Sequence, residues 1–506
     1  MGDLAALSET TDSRRQADAR ARDRSLLHSL VWTGAAKWGA QVFTWVSTLI
    51  VAHLLTPEDY GLVGMAGIYL GLVTLLSEFG LGAAVVTFRE LRPDQVGQLN
   101  GLSLLFGLAG FLASCAMAIP LGLFFRAPQL PLVVVAMSTT FVIASFKTVP
   151  CALLQRDLRF KALALIDTGQ AVALAVGMIG FALAGLRYWT LVFGGVLGAL
   201  ISTGAILRLR HPSFAWPRLQ SLKPAMTLSA HLIISRLAWY SYSNADFVVA
   251  GRILGKAALG LYDFGWTLAN IPVEKVTALV GQVTPAFFSA VQTELPAMRR
   301  YLLSITEGIA LITFPLSLGL VLVAKDFVSV ALGTKWQGTI APLQLLAAYA
   351  GLRSIMPLLP QVLVTIRDSK FVMWNSIAAA IVMPVSFYVA GSRWGTVGLG
   401  LAWVLVYPFI AATLLWRVFR KIQLAPRNYL IALRPALTGT VLMAAVVLGI
   451  RGLSNAEWTA GLRLAVQIGA GAITYALACL LLHRERFKAF SQIVIGARRG
   501  SGPRPQ

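Results

Sequence analysis

Arg156-Asp157-Leu158-Arg159-Phe160 returns later in the chain as Arg367-Asp368-Ser369-Lys370-Phe371, and each copy stands between two long apolar runs. Two further pairs keep the same order. Gly185-Leu186-Arg187-Tyr188-Trp189-Thr190 returns as Gly391-Ser392-Arg393-Trp394-Gly395-Thr396. More weakly, Val51-Ala52 followed by Tyr60-Gly61-Leu62 returns as Val249-Ala250 followed by Leu259-Gly260-Leu261. One such pair is within reach of chance. Three in the same order, about 200 residues apart, indicate an internal duplication of the kind seen in transporter folds.

What separates the copies tells what was duplicated. A membrane-spanning helix needs roughly 20 predominantly apolar residues. Runs of that kind follow one another from residue 30 to residue 482 with only short polar punctuation. Spans are expected at 30–54, 61–85, 98–124, 131–153, 164–184, 189–208, 226–250, 259–288, 301–324, 340–364, 371–391, 396–416, 435–451 and 460–482, about fourteen in all. Six spans separate matched positions, so the copies enter the membrane in the same sense. A parallel repeat of this type puts the pathway between two lobes. The expected fold is an all-α polytopic membrane protein, with two six-helix lobes around a central cavity and two extra helices.

Composition agrees. The 506 residues are 57% hydrophobic and 13% charged, with a mean hydropathy of +0.72, far from a soluble domain with about 25% charged residues. No aqueous domain fits between the spans. The net charge of +22 would suit nucleic acid if the basic residues shared a solvated face. They sit in short loops instead, so no nucleic acid is expected. Most of the 43 Lys and Arg residues fall in segments that are cytoplasmic if the N-terminus is inside, which places both termini in the cytoplasm. The heaviest clusters, Arg417, Arg420, Lys421, Arg427 and Arg434, then Arg484, Arg486, Lys488, Arg498, Arg499 and Arg504, are expected to anchor to anionic membrane lipids.

The resulting organisation is a disordered cytoplasmic tail (1–29), a first lobe (30–210), a basic cytoplasmic linker (211–225), a second lobe (226–418), a basic cytoplasmic loop (419–434), two added helices (435–482) and a basic cytoplasmic tail (483–506). The tail at 1–29 mixes Arg and Asp and lacks the short apolar core and cleavage site of a secretory signal. Cys115, Cys151 and Cys479 lie in apolar runs without paired spacing and read as small buried hydrophobes.

Four motifs carry a resemblance: Leu55-Thr56-Pro57-Glu58-Asp59-Tyr60-Gly61, Gln155-Arg156-Asp157-Leu158-Arg159-Phe160, Asn244-Ala245-Asp246-Phe247 through Gly255 and Gly260-Leu261-Tyr262, and Gly333-Thr334-Lys335-Trp336. Over nearly the whole chain the sequence resembles the Wzx-like polysaccharide flippases, the group including colanic-acid-type exporters, of the multidrug/oligosaccharidyl-lipid/polysaccharide exporter superfamily. The resemblance implies alternating access in a bacterial inner membrane. It also implies an undecaprenyl-pyrophosphate-linked oligosaccharide, moved from the cytoplasmic to the periplasmic leaflet. A lipid-linked oligosaccharide is then the main partner, with a polymerase and a chain-length regulator of the same pathway as further ones. No cofactor or metal is expected. None of the motifs identifies a sugar, and the family offers no strict residue set to carry over, so the candidate site rests on charge placement.

A Lys, Arg or Asp at the centre of a spanning helix costs about 2.5 to 3.5 kcal/mol, so each must face protein, water or substrate. Lys147 and Arg463 lie near span ends and could reach the headgroups. Lys37, Arg236, Lys275 and Arg353 lie deeper and are the candidate cavity cations for an anionic pyrophosphate. Thr33, Lys37, Gln41, Thr44 and Thr48 form one helical stripe, and Asn270, Glu274, Thr277, Gly281 and Thr284 another, with Lys275 adjacent. Gln41, Thr44, Asn270 and Thr277 are thus expected to line the cavity. The acids Glu78, Asp246, Asp263, Glu274 and Glu307 admit two readings, structural ion pairs or a coupling-ion site. His231 reads as an interhelical hydrogen bonder.

Other signals fade on inspection. Gly251-Arg252-Ile253-Leu254-Gly255-Lys256-Ala257 has the wrong spacing and ending for a phosphate-binding loop. Gly67 with Gly71 and Gly194 with Gly198 fit close helix packing. Glu58-Asp59 could mark a polytopic glycosyltransferase or polymerase, but Thr56 as N-cap, Pro57 at the first helical position and two acids in the first turn make an ordinary helix start. The chain therefore reads as a transporter rather than an enzyme. The alternatives are a drug or small-solute antiporter of the same superfamily, disfavoured by the cationic interior, and a glycosyltransferase, disfavoured by the duplication and the short outside loops.

Overall fold

In lipid a backbone N–H or C=O has no water to turn to, so an apolar run of spanning length is driven into a helix. The structure, a computed structural model, describes residues 43–77, 92–217, 239–453 and 458–482, together with residues 41, 82, 85 and 237. Among these residues the regular structure is helical throughout. The helices are α1 (Phe43–Leu54), α2 (Pro57–Ser77), α3 (Pro93–Phe125), α4 (Leu130–Arg156), α5 (Phe160–Leu183), α6 (Trp189–Leu209), α7 (Ala245–Val249), α8 (Lys256–Ala290), α9 (Leu295–Ala331), α10 (Ile340–Ile355), α11 (Leu358–Thr365), α12 (Ser369–Leu405), α13 (Tyr407–Lys421), α14 (Pro426–Leu453) and α15 (Ala460–Leu482). A π-turn (Ala250–Leu254) joins α7 to α8 and a 3-10 turn (Thr334–Thr339) precedes α10. Nine helical stretches of the described residues are long and apolar enough to cross a membrane. One of them, Ser369–Lys421, is 53 residues long and covers two of the expected spans.

Helix ends show how local sequence sets the path. Thr56 and Asp59 form a reciprocal cap on α2. Thr56 donates through its backbone N (3.0 Å) and Oγ1 (2.7 Å) to the Asp59 carboxylate, and the Asp59 N–H donates back to Thr56 Oγ1 (3.3 Å). Thr56 is the N-cap expected from the sequence, and with Asp59 in the place usually taken by Glu it forms a capping box.

Two expected spans break. Residues 340–364 split into α10 and α11 ahead of Pro357. Around 392–395 the expected loop is a kink inside α12, where Trp394 and Gly395 leave helical geometry, and the chain breaks again at Val406, just before Pro408. Proline lacks the donor that would continue the ladder, and its ring crowds the carbonyl one turn earlier.

The described residues group into two compact units. The first comprises those within Met1–Leu54, Leu76–Ala116 and Val134–Ala230. Its small core packs Val85, Leu99 and Leu102 against Val149, Ala152 and Leu153. Asn100 donates to the Ser213 carbonyl at 2.8 Å and Ala215 N–H to Gly97 at 3.0 Å, fastening the segment after α6 onto α3.

The second unit comprises the described residues of Leu55–Leu75, Met117–Val133 and His231–Gln506. Phe288, Met298, Leu302, Leu359, Val418 and Ala436 belong to one of its core clusters. α14 and α15 pack onto α9. Tyr475 donates to the Leu311 carbonyl (2.6 Å), and Arg463 donates through Nε (3.0 Å) and Nη2 (2.7 Å) to Asp326, whose other oxygen accepts from Gln467 (3.2 Å). Arg463 therefore does not reach for headgroups as its place near a span end suggests. A carboxylate only 7% exposed offers it a stronger partner. Lys147 differs in the same way, donating to Ser202 on α6 at 2.6 Å.

The matched pentapeptides occupy matched turns. In the first, Leu158 takes a left-handed φ of 58°, and Arg159 N–H closes onto the Leu154 carbonyl at 2.9 Å. In the second, Arg367 takes φ 62° and Asp368 N–H closes onto Leu363 at 2.8 Å. Both are helix-ending turns of the Schellman type. The motif has slid by two residues relative to the turn. Even so, each Asp finds an arginine two helices on, Asp157 with Arg210 and Asp368 with Arg417.

Candidate functional site

The polar stripe of α8 meets a cation from α10. Arg353 donates through Nη1 to Asn270 Oδ1 at 2.5 Å, stands 3.4 Å from Glu274 Oε1, and lies over the Trp266 ring with its guanidinium carbon 5.3 Å from the centroid. Hydrogen bonds, a long ion pair and a ring face hold the guanidinium while leaving it 29% exposed. Lys275, next in sequence to Glu274, is exposed and has no hydrogen-bond or ion partner among the described residues. An exposed ammonium partway along the expected span 259–288 needs water or an anion in front of it. Thr277 closes its hydroxyl onto its own helix, at Val273 (3.1 Å).

Behind Arg353 lies an aromatic group drawn from four helices. Trp266 faces Tyr349 (centroids 6.2 Å) and Trp403 (5.8 Å), Tyr349 stacks on Trp403 at 4.5 Å, and Tyr407 closes on both. Sequence reasoning missed this group. Each ring sits in an apolar run where an aromatic reads as core, and only the packing of α8, α10, α12 and α13 joins them.

The candidate acids separate. Asp246, fully buried, accepts from Tyr262 Oη (2.8 Å), Trp403 Nε1 (2.8 Å) and Phe247 N–H (3.0 Å), so neutral donors compensate its charge. Asp263 is half-buried on α8, faces α2 near Gly64, and has no ion-pair or hydrogen-bond partner among the described residues. Glu274 pairs with Arg353. Glu307 is half-buried on α9, and Gln41 and Thr44 are half-buried in and just before α1. Lys37, Arg236, Glu78 and His231 lie outside the described residues, as do the tails at 1–29 and 483–506.

Where α2 begins, it crosses α8 at backbone contact. A Cβ on Gly61 would overlap the Lys256 carbonyl, and a Cβ on Gly260 would overlap the Pro57 carbonyl. The contact is reciprocal, and Gly61 and Gly260 are the matched glycines of the duplication. Around it, Glu58 pairs with Lys256 at 2.8 Å, and Tyr60, Phe264 and the fully buried Trp336 pack edge to face and tilted within 5.4 Å of one another. Trp336 thus gives the Gly333-Thr334-Lys335-Trp336 motif a packing role.

A family model described as "Polysaccharide biosynthesis protein" matches residues 50–341. The teichuronic acid biosynthesis protein TuaB of Bacillus subtilis (strain 168) is 25% identical over 475 residues, covering 89% of this chain and 94% of its own. The lipopolysaccharide biosynthesis protein WzxC of Escherichia coli (strain K12) is 24% identical over 372 residues, 71% of this chain and 74% of its own. Among solved structures, an inward closed conformation of the lipid II flippase MurJ superposes with a TM-score of 0.69 at 12% identity, over 90% of this chain and 99% of its own, a likeness of fold.

Proposed function

We propose a function for this chain on one premise: it belongs to the polysaccharide biosynthesis protein family, whose model spans more than half of it. It is a multi-pass membrane protein of the flippase fold. From there the reading is that it moves an undecaprenyl-pyrophosphate-linked oligosaccharide from the cytoplasmic to the periplasmic leaflet of a bacterial inner membrane by alternating access.

The observation that carries the substrate's charge is Lys275, exposed and without a partner among the described residues, next in sequence to the Glu274 that pairs with Arg353. A pyrophosphate cannot cross roughly 30 Å of hydrocarbon bare, and fixed cations replace part of its hydration. Ring faces of Trp266 and Tyr407, each half-buried, suit the apolar faces of sugars. Lys37 and Arg236 complete the proposed cation set, Gln41, Thr44, Asn270 and Thr277 the lining, and Glu78, Asp246, Asp263, Glu274 and Glu307 remain the candidates for ion coupling. The cations need not drive movement. An inside-negative potential favours outward transfer of anions by about 2.3 kcal/mol per charge per 100 mV, so the site has to bind weakly enough to release. The two-lobe organisation, with both termini in the cytoplasm, is part of the same proposal.

The test is flipping of a fluorescent undecaprenyl-pyrophosphate-linked oligosaccharide in proteoliposomes. Lys275→Gln should slow it by about tenfold, the worth of one charged hydrogen bond, and Lys275→Glu more. Wild-type rates in Gln and Glu variants at both Lys275 and Arg353 would remove the site. A wild-type protein that ignores this lipid but extrudes a cationic dye would replace the flippase reading by an antiporter.

A further inference from the structure

Three turns of the second unit meet around a cavity that the transport reading leaves unused. Gln292, Thr293 and Leu295 from the α8–α9 turn, Thr365, Ile366 and Arg367 from the α11–α12 turn, and Lys421 at the end of α13 line an open cavity of about 370 Å³. Its charge is one-sided. Asp368, beside the cavity, is held by Arg417 at 2.7 and 3.3 Å and pairs more loosely with Lys421 at 3.7 Å, so the strong hydrogen bonds of its carboxylate go to Arg417. Among the described residues Arg367 makes no side-chain hydrogen bond or ion pair. Glu294, on the α8–α9 turn, is exposed and does not line the cavity. Two cations therefore face a space that also presents the Gln292 amide and the Thr293 hydroxyl. Such a set suits acceptor oxygens around a tetrahedral anion.

The walls add a second requirement. Leu295 and Ile366 line the same cavity, and the α11–α12 corner leaves Val364 54% and Trp374 57% exposed. An exposed Trp beside basic residues is the composition of a membrane interface. A free phosphate ion has no use for an apolar wall, whereas a phospholipid carries its phosphate on an apolar body.

We propose that this cavity binds the phosphate of an anionic lipid headgroup. On the topology proposed above its three turns face the cytoplasm, which makes the inner leaflet the source. A zwitterionic headgroup would bring its own ammonium towards Arg367 and Lys421, so phosphatidylglycerol should be preferred over phosphatidylcholine. A bound lipid would tie the α8–α9 and α11–α12 turns to α13.

The test follows the melting temperature of the full chain in detergent as phosphatidylglycerol, phosphatidylcholine or sodium phosphate is added. Phosphatidylglycerol should give a saturable rise and phosphatidylcholine none. Arg367→Gln with Lys421→Gln should raise the half-saturating concentration about tenfold or more. Thr293→Asp, which puts a carboxylate in the cavity and keeps both cations, should abolish the rise. An equal response in wild type and both variants would overturn the site. A rise with sodium phosphate that the double variant removes would overturn the lipid assignment in favour of a free anion. The readout needs no transport substrate, so failure here leaves the flippase reading standing, and failure of flipping leaves this result untouched.

Discussion

Asp157 and Asp368 do the same job at different depths. Asp157 and its partner Arg210 are each 37% exposed, and an ion pair so open to water contributes about 0 to 1 kcal/mol. Asp368 is only 12% exposed and holds Arg417 through two nitrogens, with Lys421 nearby. The Arg417 hydrogen bonds pull its carboxyl below the usual carboxylate range. A depressed carboxylate stabilises the fold above its unfolded pKa of about 3.9, and that contribution is lost as pH falls through the lower folded value. Asp368→Asn should therefore lower the melting temperature by more than Asp157→Asn at pH 7. The gap between wild type and Asp368→Asn should begin to close below about pH 4. A gap unchanged down to pH 3 would show that the charge of Asp368 does not matter.

At the scale of elements, the α2–α8 crossing separates backbone effects from charge effects. The Glu58–Lys256 pair is 49% and 38% exposed on its two sides, so Glu58→Gln should cost at most about 1 kcal/mol. Gly61→Ala and Gly260→Ala each drive a methyl into the partner's carbonyl, which only separation of the helices can relieve. Both should sharply reduce folded protein, read as monodisperse yield in detergent. Wild-type yield from either would mean that the helices part easily. Long apolar runs made the helices legible, and α15 occupies the span expected for it. The breaks were less legible, because Pro120, Pro150, Pro315 and Pro384 stay inside helices while Pro357 and Pro408 stand at breaks. Which neighbours re-satisfy the freed carbonyls is decided by packing. The α8 stripe was readable from its period. Its partner was not, since Arg353 is 83 residues from Asn270 along the chain; nor was the Trp403 bond to Asp246 of α7, 157 residues away.

For the whole molecule, the positive-inside pattern makes a topological prediction. Alkaline phosphatase fused after Gln506 should be inactive and a fluorescent protein there should fluoresce, whereas the opposite pair of signals would overturn the count of about fourteen spans. Family and fold class were visible before any coordinate, because they rest on motifs and run lengths. The α9–α15 clasp was not, because Asp326 and Arg463 are 137 residues apart in sequence.

That separation also has a consequence in time. The ribosome delivers Asp326 long before Arg463 and Gln467, so until α15 enters, a carboxylate destined to be buried waits without these partners. Entry of α15 thus closes the clasp on α9. A chain stopped after Leu453 should be cleared faster than the full chain in a pulse-chase experiment, and Asp326→Asn, which no longer needs the arginine, should lengthen the life of the truncated form. Equal lifetimes for the truncated and complete chains would show that nothing in the cell reads the missing clasp.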